Sequence, residues 1–212
     1  MLERTIAVTT HGRYLVAPGS SSAMLVGFHG YMEAAETQME RLRASDGVER
    51  WTIVSIQGLH RFYQRRSNDV IAGWMTKQDR ELAIADNLAY VTGVIDAESP
   101  APGAAIVYAG FSQGVAMAFR AAAASARAVA GVVAVGGDVP PELDRTSLAR
   151  LRAVLLCRGA ADDWYTSQKF GDDCARLEAA GVALAPFEFS GGHEWSAPVQ
   201  RAVAQFLAER LR

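Results

Sequence analysis

Short apolar runs alternate with longer amphipathic stretches along most of this chain. The runs of strand length are RTIAVTT, RYLVAP, AMLVGF, WTIVSI, AAIVYAG, VAGVVAV, AVLLCRG and LAPFEFS. Helical periodicity occupies five stretches, at roughly residues 33–45, 79–97, 113–126, 166–180 and 196–211. This alternation predicts an α/β fold in which a mostly parallel central sheet of about eight strands carries helices on both faces.

The start of this pattern and its one gap refine the prediction. The first two apolar runs flank His11-Gly12 and predict an opening hairpin. Only residues 57–78 lack a clean pattern, and loops of this length in compact domains are usually functional or disordered. No inserted segment of some tens of residues remains to form a cap. We therefore expect one domain over residues 1–212 without a cap domain.

Composition narrows the classes of partner. The chain has 212 residues, 50% apolar and 21% charged, and its net charge of −2 arises from 21 basic and 23 acidic side chains scattered along the sequence. A basic face for nucleic acid is therefore not expected. No apolar run approaches the roughly 20 residues that span a bilayer, so we expect a cytoplasmic protein without membrane attachment. The two cysteines are too few for a disulfide framework and lack zinc-site spacing.

The stretch YAGFSQG, residues 108–114, places one serine between two glycines where an apolar run meets a helical pattern. This is the strand-turn-helix context of a G-x-S-x-G nucleophile turn, in which the serine hydroxyl projects above the sheet. In so tight a turn, side chains at Gly110 and Gly114 would collide with neighbouring elements. Ser112 is therefore the candidate nucleophile, and the backbone N–H of Gln113 is a candidate donor to a substrate oxyanion. An N-capping serine in a glycine-rich turn explains the pentapeptide equally well.

A serine nucleophile needs a base, and the base needs an orienting acid. On a sheet of this kind the chain order is serine, acid, histidine, and His193 is the only histidine after Ser112. Three aspartates compete for the role of the acid. Asp162 and Asp163 follow the run AVLLCRG, and Asp138 follows the preceding strand. We favour Asp162, because its spacing from the strand suits a short turn that aims a carboxylate at the histidine.

A second oxyanion donor is expected in the loop after an earlier strand. In MLVGFHGYMEAAE, His29 and Gly30 end that strand, and a glycine there lets the backbone approach a substrate. The backbone N–H of Tyr31 is therefore the second candidate donor. We expect His29 to form hydrogen bonds within the loop rather than to take part in catalysis. The alternative is that HGY is merely a turn.

Five motifs lie in order along nearly the whole chain: FHGY, QGLH, GFSQG, RGAADD and SGGHEW. With them the chain resembles the phospholipase/carboxylesterase family of α/β-hydrolases, which includes acyl-protein thioesterase-like enzymes and small bacterial serine esterases. The resemblance implies a catalytic triad of Ser112, Asp162 and His193. It also implies that the N–H groups of Tyr31 and Gln113 form the oxyanion hole.

Two loops depart from the pattern of the family that the chain resembles. Met32 and Glu33 stand where the family's oxyanion loop commonly continues with glycine and aspartate. Arg158 stands where its acid loop commonly has histidine before the glycine. We expect these changes to affect the choice of substrate more than the chemistry.

Together these residues predict a serine hydrolase that cleaves small-molecule carboxylic esters through an acyl-enzyme and needs no metal or organic cofactor. We expect Phe62, Tyr63 and Trp74 to wall the entrance and to favour short to medium acyl chains. Thioesterase or lysophospholipase-type activity on the same triad is an alternative. A non-catalytic ligand-binding homologue is another, although such a protein is expected to lose a triad member. The sequence is also compatible with a homodimer.

Overall fold

The computed structural model describes residues 1–98 and 101–211. Its strands are β1 (Tyr14–Ala17), β2 (Met24–Phe28), β3 (Thr52–Ile56), β4 (His60–Tyr63), β5 (Val70–Gly73), β6 (Ile106–Phe111), β7 (Gly131–Val135), β8 (Ala153–Gly159) and β9 (Ala183–Phe189). Its α-helices are α1 (Ala35–Arg43), α2 (Arg80–Glu98), α3 (Gln113–Ala124), α4 (Arg145–Leu148), α5 (Ser167–Ala179) and α6 (Ala197–Arg210). A short 3-10 helix covers Val48–Arg50.

Within these residues, seven strands form one sheet in the order β1-β3-β2-β6-β7-β8-β9. Every neighbouring pair is parallel except β1 and β3, which are antiparallel. Because the carboxyl ends of parallel strands meet at one edge, the loops that follow β2, β6, β7, β8 and β9 gather there. The predicted α/β fold with a mostly parallel sheet is confirmed, and the described residues contain no cap domain over this edge.

Two apolar layers cover the sheet, one on each face. Consecutive residues of a strand point to opposite faces, so Val26 of β2 packs in the layer with α2, α3 and α5, whereas Leu25 packs in the layer with α1 and α6. The same alternation places Tyr108 and Val107 of β6 in opposite layers. The helices thus lie on both faces, as predicted. Of the helices in the described residues, none has the length and the apolar content to cross a bilayer.

The predicted opening hairpin is wrong in its first strand. Residues 4–10 have no regular structure and lie exposed, and β1 is itself the edge of the sheet. Two contacts hold the chain just before β1: the hydroxyl of Tyr90 donates to the carbonyl of Arg13 (2.6 Å), and the side chain of Arg61 donates to the carbonyl of His11 (3.0 Å). The strand preference of residues 4–10 is therefore not realised, because no strand in the described residues pairs with them.

The unpatterned segment 57–78 contains a small antiparallel hairpin of β4 and β5. The sequence does not mark this hairpin, because the four residues of β4 are all exposed and show no apolar alternation. A backbone bridge between Glu33 and Ala72 ties β5 to the loop after β2. The hairpin therefore lies beside one of the loops at the carboxyl edge of the sheet.

Candidate active site

The turn that carries Ser112 joins β6 directly to α3. The backbone of Ser112 has φ 51° and ψ −120°, a conformation that residues other than glycine rarely adopt. The side chain makes no capping hydrogen bond to the helix, which argues against the N-capping alternative. Strain of this kind costs on the order of 1–3 kcal/mol and persists only where the surrounding structure imposes it.

Sterics explain the glycines on both sides of Ser112. A Cβ at Gly110 would stand 2.4 Å from the carbonyl oxygen of Gly114, and a Cβ at Gly114 would stand 2.2 Å from that of Phe28. Both distances are far below van der Waals contact with backbone atoms, which have little room to shift. The predicted collision is confirmed. Because Gly114 has no side chain, α3 can pack closely against β2.

His193 lies in the loop between β9 and α6, and its ring joins Ser112 to Asp162. A carboxylate only accepts hydrogen bonds, so the Nδ1–H of His193 donates to Oδ2 of Asp162 (2.8 Å). The Nε2 of the same ring is then free to accept the Ser112 hydroxyl (2.9 Å). The rings of Phe111 and Trp164 flank the imidazole, with centroids at 5.1 and 5.7 Å.

Asp162 is held from the side opposite to His193. Its side chain is buried, with the residue 3% exposed, and Oδ1 accepts the backbone N–H groups of Trp164 and Tyr165, both at 2.9 Å. The other oxygen is left for the imidazole. This arrangement arises because the chain turns tightly after β8, where the N–H of Asp162 donates to the carbonyl of Gly159 (3.0 Å).

The two rival aspartates have other surroundings. Asp138 lies 3.5 Å from the ammonium group of Lys169, and Asp163 is exposed on the wall of the cavity. Within residues 1–98 and 101–211, His193 forms a carboxylate hydrogen bond with Asp162 alone. The geometry therefore favours Asp162, the aspartate preferred from the spacing.

The candidate oxyanion donors lie on neighbouring loops. No acceptor in the described part of the chain receives the backbone N–H of Tyr31 or Gln113. The side chain of Gln113 is engaged elsewhere: Oε1 accepts the backbone N–H of Trp74 (2.9 Å) and Nε2 donates to the carbonyl of Met75 (3.0 Å). Both candidate N–H groups thus remain open to a ligand.

An ion pair fixes the loop after β2. Glu33 accepts the backbone N–H of Gly30 (2.7 Å) and forms a bidentate pair with Arg41 (2.5 and 2.6 Å). Burial alone raises the pKa of the Glu33 carboxyl, but hydrogen bonding and charge from Arg41 outweigh it and hold that pKa below its ordinary value. The Arg41 guanidinium also lies 4.2 Å from the centroid of the Phe111 ring. No sequence pattern predicts this pair, because Glu33 lies on a loop and Arg41 lies on α1, eight residues later.

His29 has the structural role expected of it. Its ring is buried, Nδ1–H donates to the carbonyl of Gly30 (2.7 Å), and Nε2 accepts the backbone N–H of Gly58 (3.0 Å). Burial lowers the pKa of the imidazole, so the neutral form is favoured. The indole of Trp74 donates to the carbonyl of His29 (2.8 Å). His29 thus ties the loop after β2 to the segment that follows β3.

An open cavity of about 1080 Å³ exposes Ser112, Gln113 and His193. Tyr31, Phe111, Ala116, Trp164 and Trp195 add apolar surface, and Glu33, Arg41, Asp138, Asp163 and Glu194 add charge. Trp164 and Trp195 each lie two residues after a proposed triad member, a sequence signal that could have located them. The cavity size lies at the upper end of the range of small-molecule sites, which hold a few polar groups among apolar walls.

Phe62, Tyr63 and Trp74 do not form the predicted entrance wall. Trp74 is fully buried against Phe28, with ring centroids 5.5 Å apart, and is a core residue. Tyr63 is 71% exposed, and neither it nor Phe62 lines the cavity. Phe62 reaches the site only indirectly, since its ring centroid lies 6.1 Å from that of Tyr31. In a segment without a regular pattern, the sequence does not distinguish an aromatic core residue from one that lines a cavity. Trp74 is a core residue because it packs against Phe28 of β2.

The fold is similar to several solved structures at low sequence identity. Acyl-protein thioesterase 2 from Zea mays is 18% identical with a TM-score of 0.74, and the match covers 95% of this chain and 100% of that one. A carboxylesterase from Mesorhizobium loti is 18% identical with a TM-score of 0.74 and coverages of 93% and 94%. A phospholipase/carboxylesterase from Dyadobacter fermentans is 19% identical with a TM-score of 0.68 and coverages of 95% and 99%. At this identity the likeness establishes the fold.

The sequence itself identifies the family. No curated protein sequence matches the chain significantly. The model of the phospholipase/carboxylesterase family, however, matches residues 20–175, which is most of the chain and includes the nucleophile turn and the acid loop. The chain therefore belongs to the phospholipase/carboxylesterase family of α/β-hydrolases.

Proposed function

We propose that this protein is a serine esterase that hydrolyses carboxylic esters with short to medium acyl chains through an acyl-enzyme on Ser112. The observation that carries the proposal is the hydrogen-bond chain from Asp162 through His193 to Ser112, with distances of 2.8 and 2.9 Å, which ends on an open cavity. The strained backbone of Ser112 supports it further, because such strain clusters at active sites.

In the acylation step, the Oγ of Ser112 attacks the ester carbonyl carbon while Nε2 of His193 takes the hydroxyl proton. Asp162 keeps Nδ1–H directed at its Oδ2 and stabilises the imidazolium that forms. The N–H groups of Tyr31 and Gln113 stabilise the negative charge on the tetrahedral oxygen. The C–O bond to the alcohol then breaks, and Nε2–H of His193 gives its proton to the leaving oxygen.

Deacylation repeats these steps with water as the nucleophile. His193 takes a proton from a water molecule, whose oxygen attacks the acyl carbon. The bond from the acyl carbon to Oγ breaks, Ser112 regains its proton from His193, and the carboxylic acid leaves. The open cavity supports this half-reaction, since it lets water reach the acyl carbon without movement of a cap.

The charged residues that line the cavity are the reason to propose a preference for short to medium acyl chains. Each buried methylene contributes roughly 0.8 kcal/mol while apolar wall remains to receive it. The same cavity is lined by the Glu33–Arg41 pair and by the carboxylates of Asp138 and Asp163, which lose hydration when alkyl groups cover them. We therefore expect no steady gain for long chains, and no jump in rate when the substrate forms micelles.

Thioester hydrolysis is the second candidate. The same nucleophile, base and oxyanion donors serve a thioester, and a fold neighbour of this chain is an acyl-protein thioesterase. Paired oxygen and sulfur esters of the same butyryl group separate the two activities by their kcat/KM values. A non-catalytic ligand-binding role is disfavoured by the intact chain of hydrogen bonds on Ser112.

The deciding experiment uses p-nitrophenyl butyrate turnover together with a fluorophosphonate label. Mass spectrometry is expected to find one adduct, on Ser112, and Ser112→Ala is expected to fold normally and lose several orders of magnitude in kcat. Ser67→Ala, an exposed serine in the turn between β4 and β5, is the matched control and retains activity. A label on another residue, or full turnover by Ser112→Ala, would remove Ser112 from the proposed mechanism.

A further inference from the structure

Asp173 is a buried carboxylate of α5 that lies outside the cavity. The residue is 5% exposed, and its Oδ2 accepts both the hydroxyl of Tyr165 (3.0 Å) and the backbone N–H of Val139 (2.9 Å). Its Oδ1 lies 3.3 Å from a guanidinium nitrogen of Arg176. One side chain thus binds the acid loop after β8 and the loop after β7 at the same time.

Tyr165 connects this carboxylate to the candidate acid. The residue is fully buried, its backbone N–H donates to Oδ1 of Asp162 (2.9 Å), and its hydroxyl reaches Asp173. Its carbonyl accepts Nε of Arg158 (2.9 Å), the residue that departs from the family's histidine. All three polar groups of Tyr165 are therefore engaged, and its N–H, which orients Asp162, has little freedom to move.

The second contact of Asp173 leads to the other side chains of the site. Val139 follows Gly136 and Gly137 in the loop after β7. A Cβ at Gly136 would lie 3.2 Å from the ring of His193, and a Cβ at Gly137 would lie 2.4 Å from the carbonyl oxygen of Ser112. A shift of this loop would therefore displace the ring of His193 and the backbone of Ser112.

Arg176 reinforces the same loop. Its guanidinium donates to the carbonyls of Val139 (2.9 Å), Pro140 (2.9 Å) and Leu143 (3.1 Å). Burying an ion pair gives little net stability compared with apolar residues of the same size. A network of this kind does, however, fix the relative positions of the segments that it joins.

We propose that Asp173 is a positioning residue of the hydrolase, which acts through Tyr165 and Val139 to hold Asp162 and His193 in register with Ser112. The inference rests on the proposed function. Asp173 touches neither the cavity nor the proposed reacting atoms, so its effect is on the alignment of the triad and not on the binding of substrate. Misplacement of catalytic groups by remote changes is known to cost up to about 100-fold in rate.

Tyr165→Phe is the cleanest test, because it deletes the hydroxyl bond to Asp173 and keeps the ring and the backbone contacts. We expect kcat to fall about 10-fold while KM changes less than about two-fold. Asp173→Asn is the second variant, with a loss of kcat at least as large.

Tyr108→Phe is the matched control, since it removes the hydroxyl of another buried tyrosine that lies on β6 beside Ser125. It is expected to keep the kcat and the KM of the wild type. If Tyr165→Phe and Asp173→Asn lose thermal stability but keep the wild-type kcat, the positioning role is overturned. If one variant does not fold, the other decides.

A proton NMR signal separates this inference from the proposed function. The Nδ1–H proton of His193, assigned with His193→Gln, reports its hydrogen bond to Asp162 without any substrate. We expect that signal to shift in Tyr165→Phe and to stay in place in Tyr108→Phe. If the wild type hydrolyses no ester but the signal still shifts, the esterase proposal fails and the positioning role stands. An unchanged signal in Tyr165→Phe overturns the positioning role.

Discussion

Two regions next to the cavity differ in how completely their contacts fix them. In one, the turns after β6, β8 and β9 place Ser112, Asp162 and His193, and each is fixed by backbone contacts or by its neighbour. In the other, the β4–β5 hairpin leaves Phe62 and Tyr63 exposed and lines none of the cavity. It contacts the loop after β2 through the Glu33–Ala72 bridge and through the approach of Phe62 to Tyr31. The proposed chemistry is thus carried by the more constrained region.

This contrast has a physical origin. Proton transfer and oxyanion stabilisation demand donors and acceptors within tenths of an ångström of fixed positions, so the supporting hydrogen bonds must be complete. Apolar contact with an acyl chain is non-directional and tolerates displacement. We therefore expect substitutions to be severe in the first region and mild in the second.

The largest effect is expected for Asp162→Asn. An amide cannot hold the imidazole in the tautomer that leaves Nε2 free to accept the hydroxyl, and the equivalent change in a serine protease triad costs on the order of 10⁴ in kcat. Steady-state kinetics on p-nitrophenyl butyrate measure the loss. Asp163→Asn is the matched control beside it and is expected to retain kcat within a few-fold. Equal losses in both variants would remove Asp162 from its role.

A smaller effect is expected where the two regions meet, at Glu33. Glu33→Gln breaks the bidentate pair with Arg41 and weakens the acceptor for the Gly30 N–H, so the loop that carries Tyr31 loosens. We expect kcat/KM to fall about 10-fold to 100-fold and unfolding free energy to fall by about 2 kcal/mol. Glu36→Gln, which breaks an exposed pair with Arg13, is the control and costs less than about 1 kcal/mol. Equal effects of the two changes would contradict a special role for Glu33.

His29 makes stability depend on pH. Burial lowers the pKa of its imidazole in the folded protein from the ordinary value of 6.5, so the unfolded chain binds the proton more readily. The free energy of unfolding is therefore full above about pH 6.5 and falls as the pH drops towards the folded-state pKa, by at most about 1.4 kcal/mol per pH unit. Urea unfolding between about pH 5 and 8 measures this slope. A slope that persists in His29→Gln would assign it to another group.

The smallest effect is expected for the hairpin. Tyr63→Ala removes an exposed ring that does not line the cavity, so the chain-length profile of p-nitrophenyl esters is expected to stay within about two-fold of the wild type at every length. Trp164→Ala, on the cavity wall beside His193, is the comparison and shifts that profile towards shorter chains. A strong loss in Tyr63→Ala would mean that the hairpin closes over the substrate.

The elements and the site residues that the sequence predicted correctly share a local signature. Strands β2, β3, β6, β7 and β8 are buried apolar runs, and α1, α3 and α5 have clear helical periodicity. Ser112, Asp162 and His193 stand just beyond such strands, where topology alone brings them to one edge. Local pattern and position in the chain order were sufficient in these cases.

What the sequence did not reveal depends on contacts between distant segments. Nothing near Trp74 marks it as a core residue, because its partners Phe28 and His29 lie more than forty residues away. The strand predicted over residues 4–10 has the right composition but pairs with no strand in residues 1–98 and 101–211. The link from Asp173 through Tyr165 likewise joins a helix to a loop, and no motif encodes it.

The left-handed backbone at Ser112 sets two kinds of selection against each other. At φ 51° glycine is the residue that folding alone favours, because it has no Cβ to strain. Among random variants screened only for the amount of folded protein, glycine is expected to be enriched at this position. Among variants screened for turnover, serine is expected to persist. Mutational tolerance and catalytic fitness thus point in opposite directions at this one residue.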